Sequence, residues 1–438
     1  MSAARRFLFL QGLAGPFFTR LGDHLRALGH EVHRVNFNAG DAAHWAGRPA
    51  SNFRGSVDEL PGWLASKLRE LGSTDVMLFG CHRPVHLASI TAARTHGACI
   101  HAFEEGYIRP NWITVERIGA QVPVALPRDP HWYREVDRLL PRHDDDQAIR
   151  VPLALRARQE VAYHLCNAVN PIFFPGYRSH RPRAALLEFA GFVRRYAAMP
   201  VDTSADAGLI SDLLTRGRRY FLLPLQLNGD AQIVHHSPFL NIAEVIDVVL
   251  RSFAAHAASH THLVVKNHPL DPGLGGHGRE VRHRAEALGI GRRVHYIETG
   301  HLPTLLDHAS GTVVVNSTVG MSALSQGCPT KALARPIYDM AGLTSRVSLN
   351  DFWRDPEPPD PALYRAVRNT VIHATQVNGD FCTRRGIALA IAGCGRMLEE
   401  LSPLEQLLKR HWAQSAVDSG NIGWQPECRV MSPAGSGV

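Results

Sequence analysis

Two adjacent acidic residues are the sharpest candidates for chemistry in the chain. Glu104 and Glu105 end an apolar run and are followed at once by Gly106. Because neighbouring side chains of a strand point to opposite faces, we expect one carboxylate to face a cleft and the other to take a structural partner. A strand-end carboxylate can act as a nucleophile or base toward an anomeric carbon. An ion pair with Arg109 or Arg117 is the alternative interpretation.

A second set of polar side chains follows another short apolar run. Lys266 and His268 can donate hydrogen bonds to a phosphate or to a sugar carboxylate, and Asn267 lies between them. Pro269 favours an extended conformation for His268. Ligands of open α/β sheets lie beyond the carboxyl ends of the strands, so this position favours a binding role over a simple polar turn.

A third set opens a predicted helix directly after a strand and consists of Asn316, Ser317, Thr318 and Gly320. Free N–H groups and the helix dipole make such a start a site for anions. An ordinary helix cap needs only one Ser or Thr. We therefore interpret the run as a site for a nucleotide phosphate.

Two further loops follow predicted strands. The first contains Gln11, Gly12 and Gly15, and it lacks both the lysine of a phosphate loop and the GxGxxG spacing. This disfavours an NTPase and an NAD-dependent enzyme. The second contains Gln226 and is either a ligand loop or an interdomain turn.

The predicted elements alternate between strand and helix. Apolar runs predict strands at 7–10, 31–37, 75–79, 99–103, 220–225, 262–266, 294–297 and 312–315. Helical spacing predicts helices at 18–28, 84–96, 302–309 and 319–326. The alternation predicts an α/β fold of the GT-B-like type, in which two Rossmann-type domains face a cleft and helices follow at the C-terminal end.

The expected domains are 1–200, with a helical bridging region at 120–205, and 201–395, which would bind the nucleotide sugar. Terminal helices are predicted over the segment 362–410. The segment 396–438 would hold a terminal helix and a tail that is disordered after Trp424.

Composition narrows the class of protein. The 438 residues are 45% hydrophobic, with a net charge of +7, which suits two cores and an anionic partner. Seven scattered cysteines without a CxxC pair disfavour disulfides and structural zinc.

No signal peptide, membrane span or DNA-binding module is recognised in the sequence. We therefore expect a cytoplasmic protein that binds no nucleic acid and meets a membrane only at its surface. The acidic run 144–146 is interpreted as a solvated loop rather than a metal site.

The order of these motifs resembles the KpsS/LipB-type capsule polysaccharide proteins over residues 7 to 395. The segments that carry the resemblance are 9–12 with 15–18, 35–41, 52–55, 103–110, 224–226, 266–269, 316–320, and 338–339 with 342–344.

This resemblance implies a retaining β-Kdo transferase that moves Kdo from CMP-Kdo to a phosphatidylglycerol-type lipid, as part of the linker of a capsular polysaccharide. It implies Glu105 and His268 as catalytic residues; related KpsC-type enzymes carry Asp at the position of Glu105. The implied nucleotide-sugar residues are Lys266, Asn267, Pro269, Asn316, Ser317, Thr318, Gly320 and Gln226. The implied acceptor-side residues are Gln11, Gly12, Gly15, Asn38, Glu104, Tyr107 and Arg109.

No cofactor and no metal are implied beyond the donor. The implied partners are the inner face of the cytoplasmic membrane and other capsule biosynthesis or export proteins. Five arginines are candidates for contact with the membrane surface, and a solvated helix face is the alternative: Arg178, Arg181, Arg183, Arg194 and Arg195.

Two rival functions remain open. A non-catalytic assembly or export factor would bind glycolipid without turnover. Another GT-B enzyme would use a different nucleotide sugar, such as a UDP-sugar. Turnover of CMP-Kdo would distinguish a Kdo transferase from the assembly or export factor. Competition between CMP and UDP would distinguish it from an enzyme that uses a UDP-sugar.

Overall fold

The computed structural model describes residues 4–118, 126–143, 146–179, 185–228, 231–234 and 236–410, without the side chains of 185–186 and 231–232. The predictions made for Asp144, Asp145, Arg181, Arg183 and the tail after Trp424 lie outside the described residues.

The first sheet has seven strands. They are β1 (Arg6–Phe9), β2 (Glu31–Asn36), β3 (Ala50–Asn52), β4 (Asp75–Phe79), β5 (Cys99–Glu105), β6 (Trp112–Ile118) and β12 (Gln376–Asn378). Their order is β12-β6-β5-β4-β1-β2-β3. The five strands from β5 to β3 are parallel neighbours, whereas β6 and β12 pair antiparallel.

The second sheet is entirely parallel. Its strands are β7 (Tyr220–Pro224), β8 (His262–Lys266), β9 (Val294–Ile297), β10 (Gly311–Val314) and β11 (Thr330–Ala332), in the order β11-β10-β7-β8-β9. Their buried apolar runs are typical of parallel strands covered on both faces. Two mostly parallel α/β sheets confirm the predicted fold class.

The helices connect and cover the two sheets. They are α1 (Phe17–Ala27), α2 (Ala39–His44), α3 (Leu60–Leu71), α4 (Pro84–His96), α5 (Pro130–Leu139), α6 (Leu153–Cys166), α7 (Asn170–Phe173), α8 (Ala185–Thr215), α9 (Ala231–Val234), α10 (Ile242–His256), α11 (His277–Ala287), α12 (Leu302–His308), α13 (Val319–Ser325), α14 (Leu349–Phe352), α15 (Pro361–Thr375) and α16 (Arg384–Glu399). A short 3₁₀ helix at Asn167–Val169 joins α6 to α7. Within the described ranges, none of the helices has the length and apolar character needed to cross a bilayer.

Strand β5 is longer than the predicted segment 99–103. It continues through Glu104 and Glu105 because β6 pairs with both residues, Glu104 opposite Thr114 and Glu105 opposite Ile113. The antiparallel partner at 112–118 was not among the predicted strands. The two acids therefore lie in a hydrogen-bonded ladder rather than in a loop.

Residues 376–399 differ from the predicted terminal helices. Strand β12 interrupts them and pairs with β6, Val377 opposite Ile113. Helix α16 then packs against α1, where Ile387, Ala390 and Cys394 join the core of the first sheet. Residues 376–399 thus lie on the first sheet, although the sequence assigned positions up to 395 to the second domain. The physical reason is that these apolar side chains complete the first core.

Candidate active site

Glu105 ends β5 at a turn that only glycine fits. The N–H of Gly106 donates to the carbonyl of Trp112 at 3.1 Å, and a Cβ on Gly106 would lie 2.3 Å from that oxygen. The Glu105 carboxylate pairs with two arginines. Its Oε1 accepts from Arg156 Nη2 at 2.9 Å, and its Oε2 accepts from Arg109 Nη1 at 3.3 Å. The Glu105 side chain is 34% exposed, so it stays accessible from the cleft.

Glu104 points to the other face of the strand, as the alternation of side chains predicts. Its carboxylate accepts from the N–H of Cys81 at 3.3 Å. Nearby, the Tyr107 hydroxyl donates to Glu116 at 3.0 Å. Burial and the charge of Glu104 raise the pKa of Glu116. Glu104 therefore takes part in a half-buried network behind β5, and Tyr107 is held there too by its N–H, which donates to Gln376 at 3.0 Å.

The cleft in front of Glu105 lies between the loop after β1 and one face of α6. Arg83 and Arg156 line it, and neither was predicted from the sequence. The other lining residues are Gly12, Leu13, Ala14, Phe79, Glu160, Tyr163, His164, Tyr177, Ser179 and Cys382. Gly15 lies just outside, where a Cβ would come 3.4 Å from Gln159 Oε1.

Two predicted acceptor-side residues support the wall of this cleft. Asn38 is fully buried, accepts from the N–H of Asp41 at 2.8 Å and donates to Tyr163 at 2.8 Å. It thereby caps the start of α2, so contact with an acceptor is not open to it. Gln11 is 1% exposed, and its amide nitrogen lies 3.4 Å from the Tyr177 hydroxyl.

The second domain contributes the loop after β8. Asn267 is buried, donates to Glu298 Oε2 at 2.7 Å and accepts from the N–H of His268 at 2.8 Å. Lys266 is buried beneath this loop, where Nζ lies 3.4 Å from the carbonyl of Asn267. Burial, followed by the charge of Arg195, lowers the pKa of Lys266. Asn267 thus positions the loop, and Lys266 places a positive charge behind it.

His268 presents one ring nitrogen for a ligand. Its Nδ1 accepts from the N–H of Leu270 at 3.1 Å, so the neutral ring carries its proton on Nε2. Burial, followed by the charges of Arg109 and Lys266, lowers the pKa of His268 to about 4. At neutral pH the ring is an uncharged N–H donor. Arg109, which pairs with Glu105, is thus near enough to His268 for its charge to act on the ring.

A contact between two histidines joins the two domains. His82 follows β4, and its Nε2 lies 2.8 Å from Nε2 of His236, which follows α9. Asn316 donates to the carbonyl of His236 at 3.2 Å. The predicted third motif is thereby connected to the first domain.

The polar residues around the start of α13 mostly form hydrogen bonds with one another. Gln226 and Asn316 are both buried, and Gln226 Nε2 donates to Asn316 Oδ1 at 3.1 Å. The N–H of Val319 donates to Ser317 Oγ at 3.2 Å, which uses one of the donors expected for a phosphate. A Cβ on Gly320 would lie 2.2 Å from the Tyr338 hydroxyl, so this glycine is required by packing. Thr318 is the cap residue of α13 and makes no side-chain cap bond.

Arg195 has a different role from the predicted membrane contact. It extends from α8 and donates to the carbonyls of His268 at 3.0 Å, Pro269 at 3.1 Å, Asp271 and Glu298, while pairing with the Glu298 carboxylate. Its side chain is only 10% exposed. A helix arginine that saturates backbone carbonyls is not available to a bilayer. Arg194 donates to Gly273 from the same helix, and Arg178 is exposed.

Replacing Arg195 by Met is expected to lower the free energy of unfolding by about 2–4 kcal/mol, because several carbonyls would lose a donor and the Glu298 carboxylate would lose its ion pair. Thermal and urea unfolding measure the change. Arg194→Met is the matched control, since Arg194 is exposed and makes one such bond. Equal losses of stability in the two variants would contradict the role of Arg195 as a clamp, that is, as the residue that holds the carbonyls of the His268 loop and Glu298 together.

A larger cavity lies away from these residues. It encloses about 620 Å³ at the start of β9 and is lined by Arg282, Arg292 and Tyr296, among others. It opens at the amino end of a parallel strand. Ligands of open α/β sheets bind at the carboxyl ends, which is where Glu105 and His268 lie.

The chain has extensive similarity to capsule proteins. It matches the family described as "Capsule polysaccharide biosynthesis protein" over residues 74–382. It is 32% identical over 377 residues to the capsule polysaccharide export protein KpsS of Escherichia coli, which covers 86% of this chain and 96% of that protein. It is 33% identical over 398 residues to the capsule polysaccharide modification protein LipB of Neisseria meningitidis serogroup B, which covers 87% of this chain and 92% of that protein.

Among solved structures, it is similar to Thermosulfurimonas dismutans KpsC, a beta Kdo 2,7 transferase. The identity is 14% and the TM-score is 0.42, with 90% of this chain and 100% of that one covered. The family match spans most of the chain, and two relatives exceed 30% identity over more than four-fifths of it. The chain therefore belongs to the capsule polysaccharide biosynthesis protein family.

Proposed function

We propose that this protein is a retaining β-Kdo transferase that moves Kdo from CMP-Kdo to a phosphatidylglycerol-type lipid during synthesis of a capsular polysaccharide linker. One observation carries the proposal. An accessible, arginine-paired carboxylate, Glu105, lies at the carboxyl end of a strand, and the charge of its partner Arg109 acts on His268 of the other sheet. An assembly factor has no need of this arrangement.

The second domain would bind the donor. The phosphate of CMP-Kdo would accept from His268 Nε2, with the positive charge of Lys266 behind the loop. Departing CMP carries its own negative charge, so fixed N–H donors and a cation suit it better than a strong acid. The proposal needs no metal ion, because CMP leaves with a single phosphate.

Glu105 would act on the anomeric carbon from the opposite side of the cleft. Its carboxylate attacks that carbon as CMP leaves, or stabilises the oxocarbenium-like transition state. A hydroxyl of the acceptor then displaces the carboxylate from the face that CMP left, and its proton passes to solvent. Two inversions give net retention of the anomeric configuration. Arg109 and Arg156 hold the carboxylate in place through both steps.

The surface beside the cleft supports a lipid acceptor. Within the described residues, 11 of the 17 large apolar side chains that are exposed lie between positions 151 and 201. Along α6 and its continuation they recur at helical spacing, with Val161, Leu165, Val169 and Ile172 on one exposed stripe. The inner face of α6 lines the cleft through Arg156.

The charge of this region complements an anionic bilayer. Arg150, Arg158 and Arg178 are exposed in this region. Exposed apolar side chains combined with positive charge are typical of surfaces that lie on anionic membranes. We infer that the stripe on α6 and α7, rather than Arg194 and Arg195, lies against the membrane.

The double variant Leu165→Ser/Ile172→Ser is expected to weaken binding to phosphatidylglycerol-containing vesicles by about tenfold or more, since each side chain would bury an apolar surface in lipid. Vesicle cosedimentation measures the binding. Leu240→Ser is the matched control, because Leu240 is 79% exposed but lies outside the stripe. Equal binding by the double variant and the wild type would contradict this membrane face.

The donor is tested by titrating CMP and UDP into the protein by calorimetry. The proposal expects CMP to bind and to compete with CMP-Kdo, while UDP binds at least about tenfold more weakly. Tighter binding of UDP would favour the rival enzyme that uses a UDP-sugar. Binding of CMP without any turnover of CMP-Kdo would favour the non-catalytic assembly factor.

A further inference from the structure

Arg83 is a cleft-lining arginine whose hydrogen bonds go only to uncharged partners. It follows β4 and directly precedes α4. Its Nη1 donates to Gln11 Oε1 at 3.2 Å and to the carbonyl of Gly12 at 2.6 Å. The guanidinium also lies over the ring of Phe79 at 5.3 Å. These contacts fix one edge of the guanidinium against the loop after β1.

The other edge of the guanidinium is open. Within the part of the chain that the structure describes, Arg83 forms no ion pair, and its Nε and Nη2 make no hydrogen bond to protein. Arg83 is half-buried and lines the cleft beside Glu105. Burial lowers the pKa of Arg83, which reflects the cost of holding this charge out of water. The carboxylates of Asp41 and Glu160 act on this charge in the opposite direction, although neither forms an ion pair with it among the described residues.

The neighbouring arginine in the cleft is already paired. Arg156 donates to Glu105 at 2.9 Å, and Arg109 donates to the same carboxylate. Arg83 therefore differs from both, because its positive charge has no carboxylate at ion-pair distance among the described residues. A fixed, partly desolvated guanidinium with two adjacent donors free is suited to a phosphate or carboxylate, which it can bind in a two-pronged manner.

We propose that Arg83 binds an anionic oxygen group of the substrate beside Glu105, and that this group is the phosphodiester of the lipid acceptor. The assignment rests on the proposed function. Arg83 belongs to the first domain and to the wall shared with α6, whereas the donor phosphate is assigned to His268 on the second domain. The carboxylate of the donor sugar has the same chemistry and is the competing source of the anion.

Steady-state kinetics of Arg83→Gln and Arg83→Lys separate the two sources. For Arg83→Gln we expect the KM for the acceptor to rise about tenfold or more, while the KM for CMP-Kdo stays within about twofold of wild type. In Arg83→Lys the KM for the acceptor should recover in part, because the positive charge remains. Arg94→Gln, an exposed arginine near the end of α4, is the control. A rise in the KM for CMP-Kdo alone would overturn the acceptor assignment.

A binding measurement keeps the test independent of transfer. Glycerol phosphate is titrated into wild type, Arg83→Gln and Arg83→Lys without donor, after circular dichroism has shown that each variant is folded. We expect binding that Arg83→Gln loses and Arg83→Lys partly keeps. Equal affinity in all three proteins would overturn the anion site. If glycerol phosphate binding depends on Arg83 but the protein never turns over CMP-Kdo, the anion site is supported and the proposed transferase function is rejected.

Discussion

Glu105→Gln is expected to lower acceptor-dependent release of CMP from CMP-Kdo by about a thousandfold or more, because the amide can neither attack the anomeric carbon nor balance its positive charge. The fold should persist, since Glu105 is 34% exposed and its two arginine partners reach solvent. The rate is measured with donor and lipid acceptor both saturating, so that a change in binding does not mimic a change in chemistry.

Glu104→Gln is the comparison that assigns the chemistry to one of the two acids. Glu104 lies in the same strand but points to Cys81 and the network of Glu116. We expect its turnover to stay within about tenfold of wild type, while its thermal stability changes. Equal losses of turnover in the two variants would contradict the division of roles between the faces of β5.

His268→Ala is expected to reduce turnover by about a hundredfold to a thousandfold, which is the usual effect of removing one fixed donor to a developing negative charge. His268→Gln should recover part of this loss, because its amide nitrogen can donate in place of Nε2. The comparison is made by measuring the steady-state rate and the KM for CMP-Kdo of both variants. Similar rates for wild type and His268→Ala would remove His268 from the site.

The ionisation of His268 gives an independent measurement. Its pKa is lowered to about 4 in the folded protein, below its unfolded value of 6.5. The folded state therefore binds fewer protons than the unfolded state between these values, so this group's contribution to stability is complete above pH 6.5 and is lost as the pH falls toward 4. NMR titration should show a neutral ring at pH 6 in the free protein, and bound CMP should raise its pKa. A free-protein pKa near 6.5 would contradict this environment.

Much of the fold follows from local patterns in the sequence. The predicted segments 75–79, 84–96, 262–266 and 294–297 match the bounds of β4, α4, β8 and β9. Three are short, mainly apolar runs and one is a helical repeat, and each is closed by a glycine or a polar residue, so the local pattern suffices. The positions of Glu105 and His268 at strand ends follow from the same information.

The pairings that complete the site depend on residues far apart in the chain. Arg156 reaches Glu105 across 51 positions, and Arg195 reaches the loop of His268 across 73. In the sequence, Arg195 is one arginine among apolar helix residues, and that pattern suits a membrane face as well as a clamp. Strand β12 was missed for a related reason, since its pairing with β6 joins segments more than 260 residues apart.

The most direct test of the central claim is acceptor-dependent release of CMP from CMP-Kdo, measured with a lyso-phosphatidylglycerol-type lipid together with the mass and anomeric configuration of the product. The account predicts release that requires the lipid, a product larger by one Kdo residue in β configuration, and loss of both in Glu105→Gln. A folded protein that binds CMP but releases none with lipid acceptors, or that yields a product of inverted configuration, would contradict it.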